Sequence, residues 1–298
     1  MTKSKLFFES EGVKCAADLY IPAEAAGKLP CIVMGHGFSG TKDSFGMPAF
    51  AGQFAVNGFA VLAFDYRNFG ESEGTPRQVI HVRKQRDDYR AAIRFARSLD
   101  RINPDKIALW GSSLSGGHVI DVAAKDLRIA AVIAQVPFID AFKGGSTETA
   151  PAKVQFRLLY AALRDTVHGL LKLSPYLIPV VGNPGEFATM TEPEAKPIAD
   201  TAIAEGSKWR NEFAPRIAFG MPRYKEGTAE FLKMPVLFCI AEHDIQASPV
   251  FAAEIAGKTP KGEIRKYAAG HFSLYTGEMR NRVIADQIEF LKRTLEPV

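Results

Sequence analysis

One short stretch of this chain carries the residue types of nucleophilic catalysis at close spacing: Trp110-Gly111-Ser112-Ser113-Leu114-Ser115-Gly116-Gly117-His118. It follows an apolar, strand-like run and opens a helical one. A serine held at a sharp strand-to-helix turn exposes its hydroxyl, and the turn demands small residues two before and two after it. Gly111 and Ser115 fill those places around Ser113. The free N–H groups that open the next helix, with the positive end of its dipole, can receive a developing oxyanion. A second register exists, because Ser115 has Gly117 two residues on. Ser113 is preferred. Gly111 ends the strand directly, and Gly116-Gly117 then falls in the first helical turn.

A nucleophilic serine needs a base, and the base needs an orienting carboxylate. His271 follows the run Ile264 to Ala268, and Asp244 follows the run Val236 to Ile240. Both sit just past strand ends, where open α/β sheets gather their sites. The chain order Ser, Asp, His is the one expected of a serine on such a turn. Asp140, after another strand, is the reserve candidate for the acid. The second oxyanion donor is expected after the first parallel strand, in Gly35-His36-Gly37-Phe38. The backbone N–H groups of Phe38 and Leu114 therefore form the expected hole. His36 itself is read as shaping that loop. His118 is read as a packed helix residue and His243 as a loop residue beside the acid, while His81 and His168 have no motif around them.

These residues require elements to hold them. Lys5 to Glu9 and Val13 to Tyr20 read as an opening strand pair. The continuous apolar runs Cys31 to Met34, Ala60 to Phe64, Ile107 to Trp110 and Ile129 to Ala134 read as buried parallel strands. Between them, helices are expected over Pro48 to Asn57, with Gly58 just past the end, over Gln85 to Leu99, and over Leu114 to Ala124. The alternation stops near Pro137 and resumes at Val236, followed by a helix from Pro249 to Ala256 and a last one from Glu278 to Leu295. Strands alternating with helices imply a mostly parallel sheet covered on both faces. The expected layout is one α/β core, residues 1–137 and 231–298, interrupted by a helical insertion, 138–230. That insertion is rich in Phe, Leu, Tyr and Pro, includes a helical patch from Val154 to Leu173, and is expected to cap Ser113.

Composition excludes several function classes. A net charge of +4 with scattered Lys and Arg, and with Arg83-Lys84-Gln85-Arg86 soon offset by Asp87 and Asp88, argues against a nucleic-acid surface. Cys15, Cys31 and Cys239 each lie in an apolar run without metal-site spacing, so buried thiols, no metal and no cofactor are expected. Glu9 interrupts the basic N-terminus before a signal-type apolar run can form, and no run is long enough to span a membrane. A cytoplasmic protein acting on a small molecule is expected, with no nucleic-acid or membrane partner and with a homodimer left open.

Five segments carry a resemblance to a known group: Met34-Gly-His-Gly-Phe-Ser-Gly-Thr-Lys-Asp43, Asp65-Tyr-Arg-Asn-Phe-Gly-Glu-Ser72, Pro76-Arg-Gln78, Trp110-Gly-Ser-Ser-Leu-Ser-Gly-Gly-His-Val119 and Gln135-Val-Pro137. Together they resemble the α/β-hydrolase group of polyketide transferases and related bacterial hydrolases. More distantly they are similar to dienelactone hydrolases and to the X-Pro dipeptidyl-peptidase class. The resemblance covers about Leu6 to Asp140 and Val236 onward, and is poor across the insertion. Where that group carries an aromatic after the nucleophile, this chain has Leu114, which changes a pocket wall but not the backbone donor. The resemblance implies the α/β-hydrolase fold and acyl transfer by Ser113, Asp244 and His271. Cleavage of an ester-type bond in a small apolar or aromatic substrate is the leading expectation. The alternatives are carbon–carbon bond hydrolysis or acyl transfer on a polyketide-like substrate with the same three residues, and a non-catalytic binding protein on the same scaffold.

Overall fold

The structure is a computed structural model, and it describes residues 1–24, 27–143 and 152–296. The chain opens with a hairpin of β1 (Thr2–Ser10) and β2 (Val13–Ile21). Glu11 and Gly12 turn it with φ of 49° and 76°, the left-handed pair that matches strand twist in a two-residue loop. The buried strands follow: β3 (Leu29–Gly35), β4 (Ala60–Phe64), β5 (Ile102–Ser112), β6 (Ile129–Gln135), β7 (Val236–Ala241) and β8 (Gly262–Tyr267). They form one eight-stranded sheet in the order β1-β2-β4-β3-β5-β6-β7-β8. Only the β1–β2 and β2–β4 pairs are antiparallel. β3, β4, β6 and β7 are fully or almost fully buried, as continuous apolar runs in a doubly covered sheet must be.

Five helices belong to this core: α1 (Met47–Val56), α2 (Val82–Ser98), α3 (Leu114–Ala123), α6 (Pro249–Lys258) and α7 (Gly277–Leu295), the numbers α4 and α5 falling to Ala152–Leu170 and Ala195–Thr201 of the insertion. α1 packs with α7 and α2 packs with α3, so helices cover both faces of the sheet. The chain thus has the mostly parallel, doubly covered sheet that the alternation of elements implied, in the α/β-hydrolase architecture that the resemblance implied.

Boundaries differ where tertiary context decides them. β5 begins at Ile102, five residues before the expected apolar run, because Leu29 pairs with Ile102 across a register shift. Asn103-Pro104 alone reads as a turn. α2 begins at Val82, and its Gln85 is buried, so the Arg83–Arg86 cluster is not a uniformly solvated face. Lys84 instead pairs with Glu11 at 2.7 Å and Arg86 with Asp121 at 3.5 Å.

Between β6 and β7 the described residues hold α4, α5 and two short 3-10 turns, Pro215–Phe219 and Ala229–Phe231. Much of the remainder is irregular chain, joined by isolated bridges Ile178↔Phe213 and Val181↔Met190. Helix is sparser than expected there. Pro175, Pro179, Pro184 and Pro193 recur too often for a helix to propagate between α4 and α5. Residues 144–151 lie outside the described residues.

Strand order reverses between β3 and β5, since β3 continues to β4 on one side and meets β5 on the other. At such a switch point the two following loops leave in opposite directions and open a crevice. Gly35 and Gly111 face each other in register at its floor. The loop carrying Phe38 and the turn carrying Ser113 therefore leave the sheet side by side.

Candidate active site

Ser113 caps β5 with φ 54° and ψ −117°, a left-sided conformation costly for a residue with a side chain. Its neighbours hold it there. A Cβ on Gly111 would stand 2.1 Å from the Ser115 carbonyl oxygen, and one on Gly117 would stand 2.1 Å from that of Phe138. Only glycine allows these approaches. The Ser113 N–H donates to the Gln135 carbonyl at 2.9 Å, and its carbonyl accepts the Phe138 N–H at 2.8 Å. The turn is thus clamped to the end of β6.

The two candidate serines have different surroundings. Ser113 Oγ lies 3.1 Å from His271 Nε2. Ser115 is fully buried and faces away: its hydroxyl lies 2.6 Å from the Tyr66 hydroxyl and donates to the His36 carbonyl. A serine, and not glycine, stands there because that hydroxyl ties the helix to the loop after β3.

His271 and Asp244 come from the loops after β8 and β7, and His271 Nδ1 lies 2.7 Å from Asp244 Oδ2. The other carboxylate oxygen accepts the N–H groups of Gln246 and Ala247, both at 2.8 Å. Two backbone donors fix the carboxylate, which leaves Oδ2 to accept Nδ1–H. Nε2 is then the ring acceptor that faces the serine hydroxyl. Burial opposes the charge of a His271 imidazolium, but the Asp244 carboxylate, with Glu192 and Glu194 further off, outweighs it and raises the pKa above its ordinary value.

Asp140 does not join this group. Its two oxygens accept the N–H groups of Phe142 at 2.7 Å and Tyr224 at 2.9 Å, pinning one loop of the insertion to another. The N–H groups of Phe38 and Leu114 have no acceptor among the described residues. Leu114 opens α3, whose first amides have no intrahelical partner. Gly37 brings the Phe38 loop against the serine, for a Cβ there would stand 3.1 Å from Ser113 Cβ.

The other histidines have structural places. His36 is buried, with Nδ1 2.9 Å from the Gly37 carbonyl and Nε2 3.5 Å from the Tyr66 N–H. Burial pushes its pKa down to about 4, so the ring is a neutral loop brace. His118 is buried in α3 with Nε2 3.0 Å from Gln85 Oε1. His243 lines a side cavity with Glu192, Glu194 and His271. His168 Nδ1 contacts the Ser174 carbonyl at 2.8 Å, and His81 stands at the start of α2. Among the described residues no three His, Cys, Asp or Glu side chains converge as a metal site. The three cysteines are buried thiols.

Sequence reasoning missed Glu194. Its carboxylate accepts the Phe272 N–H at 3.0 Å and the Ser273 hydroxyl, gripping the residues just after His271. Gly270 makes room for it, since a Cβ there would stand 2.4 Å from Glu194 Oε1. Glu192 accepts from the Gln246 side chain in the loop of Asp244. The pair Glu192-Pro-Glu194 carries no motif, and only the folded chain shows its reach. Tyr275, likewise unsuspected, places its hydroxyl 2.7 Å from Ser112 Oγ.

Two cavities meet at Phe38. The one containing Ser113 and His271 has about 30 Å³, room for a water molecule and little more, and includes Val180 and Met190 of the insertion. The other has about 400 Å³ and an almost wholly apolar wall, with Phe138, Leu158, Ile178, Phe213 and Met221 among its residues. The Phe38 ring, 4.7 Å from that of Phe213 and edge-on to it, stands between them.

The chain is similar to several known proteins. The family model described as X-Pro dipeptidyl-peptidase (S15 family) matches residues 11–165. The chain is 41% identical to the quorum-quenching protein AidA of Acinetobacter baumannii (strain MDR-ZJ06), over 96% of this chain and 93% of that one. It is 37% identical to the thiohydrolase aneE of Aspergillus aculeatus, over 60% of this chain and 55% of that one. Among solved structures, the α/β hydrolase GrgF from Penicillium sp. sh18 superposes with a TM-score of 0.79 at 22% identity, over 99% of this chain and 100% of that one.

Proposed function

As the chain belongs to the X-Pro dipeptidyl-peptidase (S15) family of α/β-hydrolases, we propose that it is a serine hydrolase cleaving an ester-type bond, carboxylic ester, lactone or thioester, in a small apolar substrate. The observation that carries this reading is the continuous chain Ser113 Oγ, His271 and Asp244, with steps of 3.1 and 2.7 Å, at the switch point of the sheet. His271 Nε2 takes the Ser113 proton as Oγ attacks the substrate carbonyl carbon. The carbonyl electrons move to its oxygen, which the Phe38 and Leu114 N–H groups receive. Asp244 keeps Nδ1–H in place and stabilises the imidazolium that forms. The tetrahedral intermediate collapses, the carbon–leaving-group bond breaks, and His271 returns its proton to the leaving group. Water, deprotonated by His271, then releases the acid and restores Ser113.

The 400 Å³ apolar cavity beyond Phe38 supports an apolar group on the substrate. Val180 and Met190 support a capping role for the insertion, since they stand over the small cavity around Ser113. The relative at 41% identity is named a quorum-quenching protein and another a thiohydrolase, names that suit hydrolysis of a small signal molecule or of a thioester. The test is labelling by a fluorophosphonate, with Ser113→Ala as control, followed by turnover of p-nitrophenyl esters, thioesters and β-diketones. Labelling at Ser113 with ester or thioester turnover supports the proposal. Absence of labelling, or turnover of diketones alone, overturns it.

A further inference from the structure

α4 turns a buried face inward through Ala161, Ala162 and Asp165. Its opposite face is apolar as well. Phe156, Leu159, Tyr160, Leu163, Val167 and Leu170 recur at helical spacing down the outer side, and each is 51% to 78% exposed. A surface helix normally presents polar residues there. A single exposed leucine means nothing, but a contiguous stripe of this size marks a contact surface.

We infer that this stripe is a two-fold interface between two copies of the chain. Three observations favour a second copy over a lipid surface or an unrelated protein. First, the spacing i, i+3, i+4, i+7 along a helix of five turns forms ridges that can pack against the same ridges on a copy related by a two-fold axis. Second, the exposed fractions leave on the order of 100 Å² open on each side chain, so the stripe with Leu171 beside it supplies most of the ~800 Å² per partner of a stable interface. Third, two of the flanking cations are already engaged within their own chain. Arg157 lies over the Phe187 ring at 4.2 Å and Arg164 over the Tyr176 ring at 4.1 Å. A membrane-binding helix would instead offer such cations to lipid headgroups.

The interface would also complete the apolar cavity. Leu159 lies on the stripe and lines that cavity, as does Phe142, which is exposed beside it. A second copy seated on the stripe would therefore cover the cavity's outer rim.

The experiment is analytical ultracentrifugation of the full chain and of Leu163→Glu, an exposed substitution away from both cavities, with circular dichroism melting as the folding control. The wild type should sediment at twice 32.6 kDa at micromolar concentration. Leu163→Glu should place two unpaired charges near the two-fold axis and raise the dimer Kd by ~100-fold or more, while melting stays cooperative but no longer shifts with protein concentration. Leu170→Glu should do the same independently. A wild type that stays monomeric, including one that instead co-sediments with phosphatidylglycerol vesicles, overturns the inference. So does a dimer that Leu163→Glu and Leu170→Glu leave intact.

Discussion

Ser115→Ala and Ser113→Ala separate two hydroxyls that stand two residues apart and do unlike things. The Ser115 side chain is fully buried, accepts from Tyr66 and donates to the His36 carbonyl. Alanine there leaves no cavity worth the name, but it strands the Tyr66 hydroxyl, itself completely buried, and weakens the hold on the His36 carbonyl. A buried polar group left without its partner costs about 1–3 kcal/mol, so the pair should cost on the order of 3 kcal/mol. For a chain of this size that lowers Tm by about 5–10 °C. His36 precedes Gly37 and Phe38, so some loss of kcat follows from a loosened oxyanion loop. It should stay below the ~10²-fold cost of removing an oxyanion donor outright.

Ser113→Ala should do the reverse. The residue keeps its strained backbone, and the small cavity beside it has room for a water to replace the lost hydroxyl at His271 Nε2. Tm should therefore hold, while kcat falls by ~10³-fold or more. The assays are thermal unfolding by circular dichroism and gel-based labelling with a fluorophosphonate. Ser115→Ala should still label and melt early, and Ser113→Ala should melt normally and not label. The reasoning fails if Ser115→Ala abolishes labelling at an unchanged Tm, or if Ser113→Ala labels like the parent.

Asp244→Asn should keep the fold, shown by unchanged melting, and lower kcat by ~10⁴-fold, because an amide cannot hold the Nδ1–H tautomer. Asp140→Asn, whose carboxylate accepts the backbone N–H groups of Phe142 and Tyr224 away from His271, should leave kcat within a few-fold. The base must be neutral to accept a proton, and the pKa of His271 is raised. The acid limb of kcat/KM on a small ester should therefore fall at a pH above 6.5, the ordinary histidine value. Glu194→Gln keeps an acceptor for the Phe272 N–H but removes a negative charge that favours the imidazolium, so that limb should move to lower pH, and an unmoved limb would count against the assignment. EDTA should leave turnover unchanged, since among the described residues no three metal-ligating side chains converge, and restoration of a lost activity by a divalent ion would contradict this.

The core was legible because its signals are local. A parallel strand buried on both faces reads as an unbroken apolar run, and β3, β4, β6 and β7 each announce themselves that way. Ser113 was legible because its turn imposes small residues at fixed offsets, and the glycine contacts explain why. Asp244 and His271 were legible through their place at strand ends. What the sequence hid depends on partners far along the chain. The start of β5 depends on Leu29 meeting Ile102, and the burial of Gln85 depends on His118. In the sequence Ser115 is a small residue at a fixed offset, and only the closeness of Tyr66 and His36 gives its hydroxyl a task.

The insertion shows the same limit with a functional consequence. Its irregular segment has no periodicity to read, yet two of its carboxylates reach the loops that carry Asp244 and His271. Glu194 grips Phe272 and Ser273 directly after His271, and Glu192 grips Gln246, whose N–H in turn holds Asp244. Strands β7 and β8 set where those loops begin, but the last hydrogen bonds that orient them come from the segment standing over the cavity. A contact that shifts this segment would therefore be felt at the imidazole as well as at the apolar wall. Two glutamates thus tie the loops of Asp244 and His271 to the segment whose Val180 and Met190 line the cavity around Ser113.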